Sequence, residues 1–471
     1  MSSGLTKKVH KMNYNPALDK ATKNGNNRSS RNHPFDADEM EERQMNEQWA
    51  AYQDSKAFAD RVASLYGAGE DVRALQKARY GKLVERFEKR FGAQKGGLCF
   101  FSAPGRTEIG GNHTDHNNGR VLAAAVNLDT IACVSRTDDN AIVVDSEGFA
   151  PITVELDNLD IREKDFGTTL ALIRGTAGIM KEMGYKIGGF RATISSSVLR
   201  GSGLSSSAAF EVLIAAILDG LYNGFVVDAK TRAVIAQKVE NVYFGKPCGL
   251  MDQMASSVGG VVSIDFENTA HPAVEQLDVD LHAYGYALCI LDSGAGHEDL
   301  TDEYSAITNE LRAVCRVFGK EVLREVPEEA FLAELPKVRA AAGDRAVNRA
   351  FHVYAENRRA LAEKEALRQG DFDKFLALVR ESGRSSAMYL QNVIPTGSTA
   401  AQELMVTIAL CERILEGRGA VRVHGGGFGG TAQAFVPLDM LDTFKKATEA
   451  ALGKDCCHVV MIRPAGGVRL G

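Results

Sequence analysis

Residues 103–119, A-P-G-R-T-E-I-G-G-N-H-T-D-H-N-N-G, gather more chemically capable side chains than a core segment needs. Gly105, Gly110, Gly111 and Gly119 alternate with Arg106, Glu108, His113, Asp115 and His116. Glycines let a backbone approach a ligand closely, and such polar side chains can satisfy many hydroxyl groups. The same residues also admit a metal site built on H-x-D-H, or a polar hairpin between strands. A second segment, G-S-G-L-S-S-S-A at 201–208, lies between an expected strand and an expected long helix. Small residues at such a junction leave N–H groups free at the positive end of the helix dipole, a ready site for phosphate. Its serine hydroxyls add donors or hold Mg²⁺, and Ser205 also suits an N-cap. No Lys follows these glycines, which excludes a P-loop NTPase. A third segment, G-G-G-F-G-G at 425–430, formally matches G-x-G-x-x-G, but the following T-A-Q-A-F-V alternates like a strand. A dinucleotide fold needs a helix there, so what survives is a glycine turn lying against a ligand or another lobe. Finally, G-K-P-C-G-L-M-D-Q-M at 245–254 places Asp252 about one turn into an expected helix. There it is either a dipole-favoured cap residue or a catalytic group. As a catalytic group it needs a nearby cation to stay ionised, and Arg106 is the obvious supplier.

These segments need a scaffold, and the periodicity outlines one. Short β-rich runs at 98–102, 121–126, 131–135, 142–145 and 189–195 precede expected helices at 168–183, 206–222 and 229–241. A strand at 286–292 opens a second part that is mainly helical from 300 to 417. That part ends with strands around the 425–430 turn, a helix, and a strand at 459–463. Blocks of strands and helices without strict alternation read as α+β in two lobes, dividing near 285–295. Before residue 98 a polar, basic arm (1–33) and an acidic patch (36–42) lead into two expected helices between Glu47 and Phe91. The domains read as an extension at 1–95, a first lobe at 96–290 and a second at 291–471.

Composition narrows the class. The 471 residues carry a net charge of −6, which argues against a general nucleic-acid binder. The longest apolar stretch, near 208–218, contains Glu211 and soon meets Asp219, too short and polar to span a bilayer. Eight cysteines without a C-x-x-C pair indicate neither a disulfide scaffold nor a zinc site. The expectation is a cytoplasmic monomer without nucleic-acid or membrane partners.

Taken together, the four segments resemble the GHMP small-molecule kinases, in family order across roughly residues 99–465. G-R-T-E-I-G-G-N-H-T-D-H resembles the galactose-kinase signature G-R-x-N-x-I-G-E-H-x-D-Y. G-L-S-S-S-A-A resembles the family's ATP-phosphate loop, C-G-L-M-D-Q the segment bearing its catalytic aspartate, and G-G-G-F-G-G-T its C-terminal glycine motif. The resemblance implies a ribosomal-protein-S5-like first lobe and a ferredoxin-like α+β second lobe. It also implies ATP-dependent phosphorylation of galactose at its anomeric hydroxyl. Asp252 would take or orient the hydroxyl proton, with Arg106 beside it. Gly201, Gly203, Leu204, Ser205, Ser206 and Ser207 would cradle ATP, while Ser207 and Glu240 hold Mg²⁺. Asn112, His113, Asp115, Gly249 and Tyr304 would meet the sugar. Four positions depart from the signature: Glu108 replaces Asn, Gly110 replaces Ile, Asn112 replaces Glu and His116 replaces Tyr. The Asn112 change keeps galacturonate, arabinose and N-acetylgalactosamine open as substrates, and the extension keeps open a sugar sensor that signals without turnover.

Overall fold

The computed structural model describes residues 47–92, 97–199, 203–296 and 300–471. The polar arm, the acidic patch and Gly201 lie outside the described residues.

The first lobe is an eight-stranded sheet backed by helices. After a helical piece at 47–53 come α1 (Lys56–Tyr66) and α2 (Glu70–Phe91), then β1 (Cys99–Gly110), β2 (Arg120–Arg136), β3 (Ala141–Ser146) and β4 (Ile152–Glu155). They are followed by α3 (Thr169–Glu182), β5 (Phe190–Ser196), α4 (Ser206–Tyr222), α5 (Ala229–Lys238), α6 (Met251–Val258), β6 (Val261–Asp265) and β7 (Ala273–Leu277). The two runs read separately at 121–126 and 131–135 are one strand, β2. Its length lets it pair β1 along most of its course, with β6 beside its first residues and β5 beside its last.

The extension's helices are part of this lobe. Trp49, Phe58, Tyr80 and Phe87 form one buried cluster with Phe100, Ile131 and Cys133 of the sheet. The Thr193 hydroxyl, on β5, donates to Leu83 O of α2 at 2.9 Å. A boundary at 95 therefore cuts through a continuous core. The apolar face of α1 and α2 explains it, because such helices must bury that stripe against something.

The second lobe contains β8 (Tyr286–Asp292), α7 (Thr301–Arg316), α8 (Glu328–Ala333), α9 (Leu335–Ala342), α10 (Asp344–Gln369), α11 (Phe372–Ser385) and α12 (Glu403–Leu415). It continues with β9 (Ala420–Val423), β10 (Thr431–Pro437), α13 (Leu441–Leu452) and β11 (Cys457–Val460), before β12 (Val468–Arg469). Its four-stranded antiparallel sheet runs β11-β8-β10-β9. All of β8 belongs to this sheet, so the first lobe ends ahead of residue 286, not at 290. The last strand was expected at 459–463; β11 instead ends at Val460, and the chain then returns to the first lobe. There β12 pairs β1, and Arg463 is buried against Asp129 at 3.1 Å. The last residues of the chain are thus seated on the first lobe.

Candidate active site

The 103–110 half of the first glycine-rich segment is strand, not loop. It forms the end of β1, and its pairing with β2 shifts register between Pro104 and Arg106 and again between Glu108 and Gly110. Bulges of this kind re-aim side chains. They fall on either side of the residues that the sequence singles out.

Arg106 is buried and points at α6. Its Nε donates to Asp252 Oδ1 at 2.7 Å and its Nη2 to Asp252 Oδ2 at 2.6 Å, a bidentate pair. Its Nη1 donates to Gly203 O, and its backbone N–H to Leu204 O at 2.9 Å. One guanidinium therefore ties the aspartate to the serine loop. The Asp252 side chain keeps 30% exposure, so a substrate can still reach it. Burial alone would raise its carboxyl pKa; Arg106 outweighs that, with help from Ser205 and Lys246, and holds it below the ordinary aspartate range.

Ser205 does not cap α4. It occupies the N-cap position in a left-handed conformation with no side-chain cap bond, and its hydroxyl serves Asp252 instead. The first turn of α4 thus keeps its N–H groups for another acceptor. Gly203, Leu204, Ser205, Ser206 and Ser207 line a cavity of about 240 Å³ together with Arg106, Asp252 and Glu240. Glu240 sits in a π-turn (Val239–Phe244) that continues α5. It accepts from Gln253 Nε2 at 2.7 Å and lies 3.6 Å from Lys246 Nζ.

Ser206 and Ser207 also border a second, more apolar cavity of about 640 Å³, walled by Phe149, Ile152, Leu172, Phe210 and Phe244. Sequence reasoning missed this cavity because its apolar residues read as core. It also missed Lys246 and Gln253, which lie within segment 245–254 but carry no spacing signal of their own.

The remaining expected residues divide. Asp115 packs against Gly249, where a Cβ would overlap its Oδ2, so only glycine lets the two segments meet. Burial lowers the His113 imidazole to about 4, leaving the ring neutral at pH 7. Its Nε2 donates to Gly426 O at 2.9 Å, which leaves Nδ1 as an acceptor. Tyr304 lies on the same glycine turn, its hydroxyl donating to Gly427 O at 3.1 Å. The turn at 425–430 therefore packs against the other lobe.

Asn112 does something else. It is fully buried, and its Nδ2 donates to Glu108 Oε1 and to Gly425 O, both at 2.8 Å. Its Oδ1 accepts from Asn392 Nδ2 at 2.9 Å and Ser386 Oγ at 3.2 Å. With the amide spent on four partners, Asn112 clamps the lobes and is not a hydroxyl partner. Glu108 is held in turn by Arg422 Nη2 at 2.7 Å. The room left by Gly110 is filled by the Glu363 carboxyl.

The two lobes and the helix-start cavity beside a bidentate Arg–Asp pair define the chain's class as that of the GHMP small-molecule kinases. Residues 171–260 match the family described as GHMP kinases N terminal domain, and residues 85–136 match the Galactokinase galactose-binding signature. A galactokinase of Streptomyces coelicolor is 31% identical over 400 residues, covering 84% of this chain and 99% of the relative. One of Enterococcus faecalis is 31% identical over 373 residues, covering 78% and 92%. The crystal structure of Lactococcus lactis galactokinase complexed with galactose superposes with a TM-score of 0.69 at 26% identity, over 83% of this chain and 99% of that one. Methanococcus jannaschii mevalonate kinase shares the fold at a TM-score of 0.56 and 15% identity, covering 78% and 99%. The chain belongs to the galactokinase family.

Proposed function

We propose that this chain transfers the terminal phosphoryl group of ATP to the anomeric hydroxyl of galactose, giving galactose 1-phosphate and ADP. One observation carries the reading: Asp252, Arg106 and the uncapped start of α4 open onto one cavity. Phosphoryl transfer through a loose transition state asks mainly for positioning and charge neutralisation. The apolar cavity beside Ser206 and Ser207 suits the adenine, and the α4 N–H groups receive the phosphates.

Asp252 accepts a hydrogen bond from the anomeric hydroxyl and so aims its oxygen at phosphorus. As the new P–O bond forms, the β–γ bridging bond breaks, ADP leaves with its electron pair, and the hydroxyl proton passes to Asp252. A carboxylate held at low pKa is a weak base, but little positive charge builds on the attacking oxygen before the leaving group has largely departed. Arg106 keeps that carboxylate ionised and neutralises charge on the phosphoryl group. Asp115, His113 Nδ1, the Gly249 backbone and Tyr304 surround the sugar hydroxyls.

Glu240 and Ser207, both lining the cavity, provide the hard oxygen donors that Mg²⁺ takes, with Glu240 Oε1 3.6 Å from Lys246 Nζ. Among the described residues no group of three His, Cys, Asp or Glu builds a full cage. That fits an ion completed by water and substrate phosphates. When bound, Mg²⁺ supplies charge neutralisation at the phosphates.

The test is ADP release by purified protein with a panel of galactose, galacturonate, arabinose and N-acetylgalactosamine. Saturable turnover with galactose is expected. Saturation by the uronic acid alone, or binding of ATP and galactose without turnover, overturns the reading.

A further inference from the structure

Between α10 and the end of α11 the second lobe carries a groove of about 600 Å³ that shares no lining residue with the cavity at Asp252. Arg359 lies in its floor. The side chain is only 9% exposed, and its Nε lies 3.4 Å from Glu356 Oε2 in an ion pair. Nε has no hydrogen-bond partner, so a nearly buried guanidinium faces the groove under-satisfied. Arg384, on the wall, is exposed, and its side chain makes no hydrogen bond or ion pair among the described residues. Beside these cations stand apolar surfaces, with Met388 62% and Tyr389 44% exposed. Two carboxylates, Glu328 and Glu381, also line the groove, and Glu328 is taken up by Arg358.

An exposed, unpaired guanidinium beside one held only by a 3.4 Å ion pair suits one compact doubly charged group, which arginine grips bidentately. The nearby carboxylates disfavour an extended polyanion. The volume greatly exceeds a lone phosphate and is in the range of small-molecule sites. We propose that this groove binds a phosphate monoester of a small organic molecule, with its phosphate on Arg359 and Arg384 and its body on Met388 and Tyr389.

The groove also reaches the sugar loop. Glu356, paired with Arg359, accepts through Oε1 from the backbone N–H of Gly111 at 3.1 Å and of Asn112 at 3.3 Å. Ser385, another lining residue, bonds His352 Nδ1 at 2.8 Å, and His352 Nε2 donates to Asn112 O at 3.0 Å. A phosphate that draws Arg359 from Glu356 changes the charge balance at the acceptor that holds the loop just before His113. Occupancy of the groove therefore shifts sugar affinity, and by linkage sugar shifts the monoester's affinity.

The test is titration calorimetry on the full chain, with galactose and a non-hydrolysable ATP analogue filling the active site. The probes are galactose 1-phosphate, AMP and inorganic phosphate in separate runs. One equivalent of galactose 1-phosphate or AMP should bind, about tenfold or more weaker in Arg384→Ala, which loses one charge-assisted contact. Inorganic phosphate should bind more weakly than either. The bound monoester should also shift the galactose KM about threefold or more in the unaltered protein and not in Arg384→Ala. Absence of saturable binding, equal affinity in Arg384→Ala, inorganic phosphate as good as the esters, or an unmoved KM overturns the proposal. The calorimetric arm needs no turnover, so its failure is distinct from failure of the kinase reading.

Discussion

Asn112 stands where the family signature has Glu, and restoring that Glu should harm the protein. The amide donates to Glu108 Oε1 and Gly425 O in a fully buried setting. Asn112→Glu removes both donors and brings a second carboxyl beside Glu108. Gly425 O is orphaned at a cost of ~1–3 kcal/mol, while Glu108 Oε1 keeps Arg422, so the loss is about 1–3 kcal/mol before the added carbon and the like charge are considered. That is a large share of the roughly 5–15 kcal/mol that holds a typical protein folded. Asn112→Asp separates the causes, because it keeps the size and loses the same donors. Urea denaturation followed by fluorescence measures both variants, with galactose KM recorded alongside. Both should unfold at lower urea, Glu more than Asp. An Asn112→Glu protein with an unchanged midpoint but an altered galactose KM would show that Asn112 faces the sugar after all.

Gly249→Ala forces a methyl into Asp115, so kcat/KM for galactose should fall by up to about 10²-fold through displacement of the sugar side chains; an unaltered value places the sugar elsewhere. Arg106→Ala should lower kcat more than it raises the KM for ATP, and it should introduce an acid limb in kcat. In the unaltered enzyme Asp252, held below the ordinary range, stays ionised throughout pH 5–8. The reverse order of effects makes Arg106 a nucleotide anchor. Glu363 is buried with neither oxygen hydrogen-bonded among the described residues, and burial raises its carboxyl well above the ordinary value of 4.5. The fold then binds a proton that the unfolded chain releases, so this residue's contribution to stability falls as pH rises from 4.5 through the raised folded value. Glu363→Gln, which mimics the protonated acid, should lose less stability between pH 5 and pH 8 than the unaltered protein; an equal or greater loss refutes this.

Local chemistry was legible from local sequence. The helix at 206–222 and the strand at 286–292 were expected within the bounds the structure gives, because a small-residue junction and a bounded apolar run are local signals. The juxtaposition of Asp252 and Arg106 was reachable as a requirement of charge and as an implication of the family resemblance, not from spacing. What escaped depends on partners far along the chain. Residues 103–110 read as part of a ligand-facing glycine segment or a polar hairpin, yet they are buried strand because Arg422 meets Glu108 and His424 meets Thr107 from the other lobe. Asn112 looked like a ligand group for the same reason, its partners Ser386, Asn392 and Gly425 being invisible to spacing. The aromatic wall of the larger cavity carries no pattern that separates it from core. No helix among the described residues is long and apolar enough to cross a membrane.

The central claim, that one carboxylate steadied by Arg106 delivers the sugar oxygen to ATP, is most directly tested by kcat for ADP release with Asp252→Asn, alongside binding of a non-hydrolysable ATP analogue. The account predicts a fall of ~10²–10⁴-fold in kcat, with nucleotide affinity within a few-fold. Turnover within fivefold of the unaltered enzyme contradicts it.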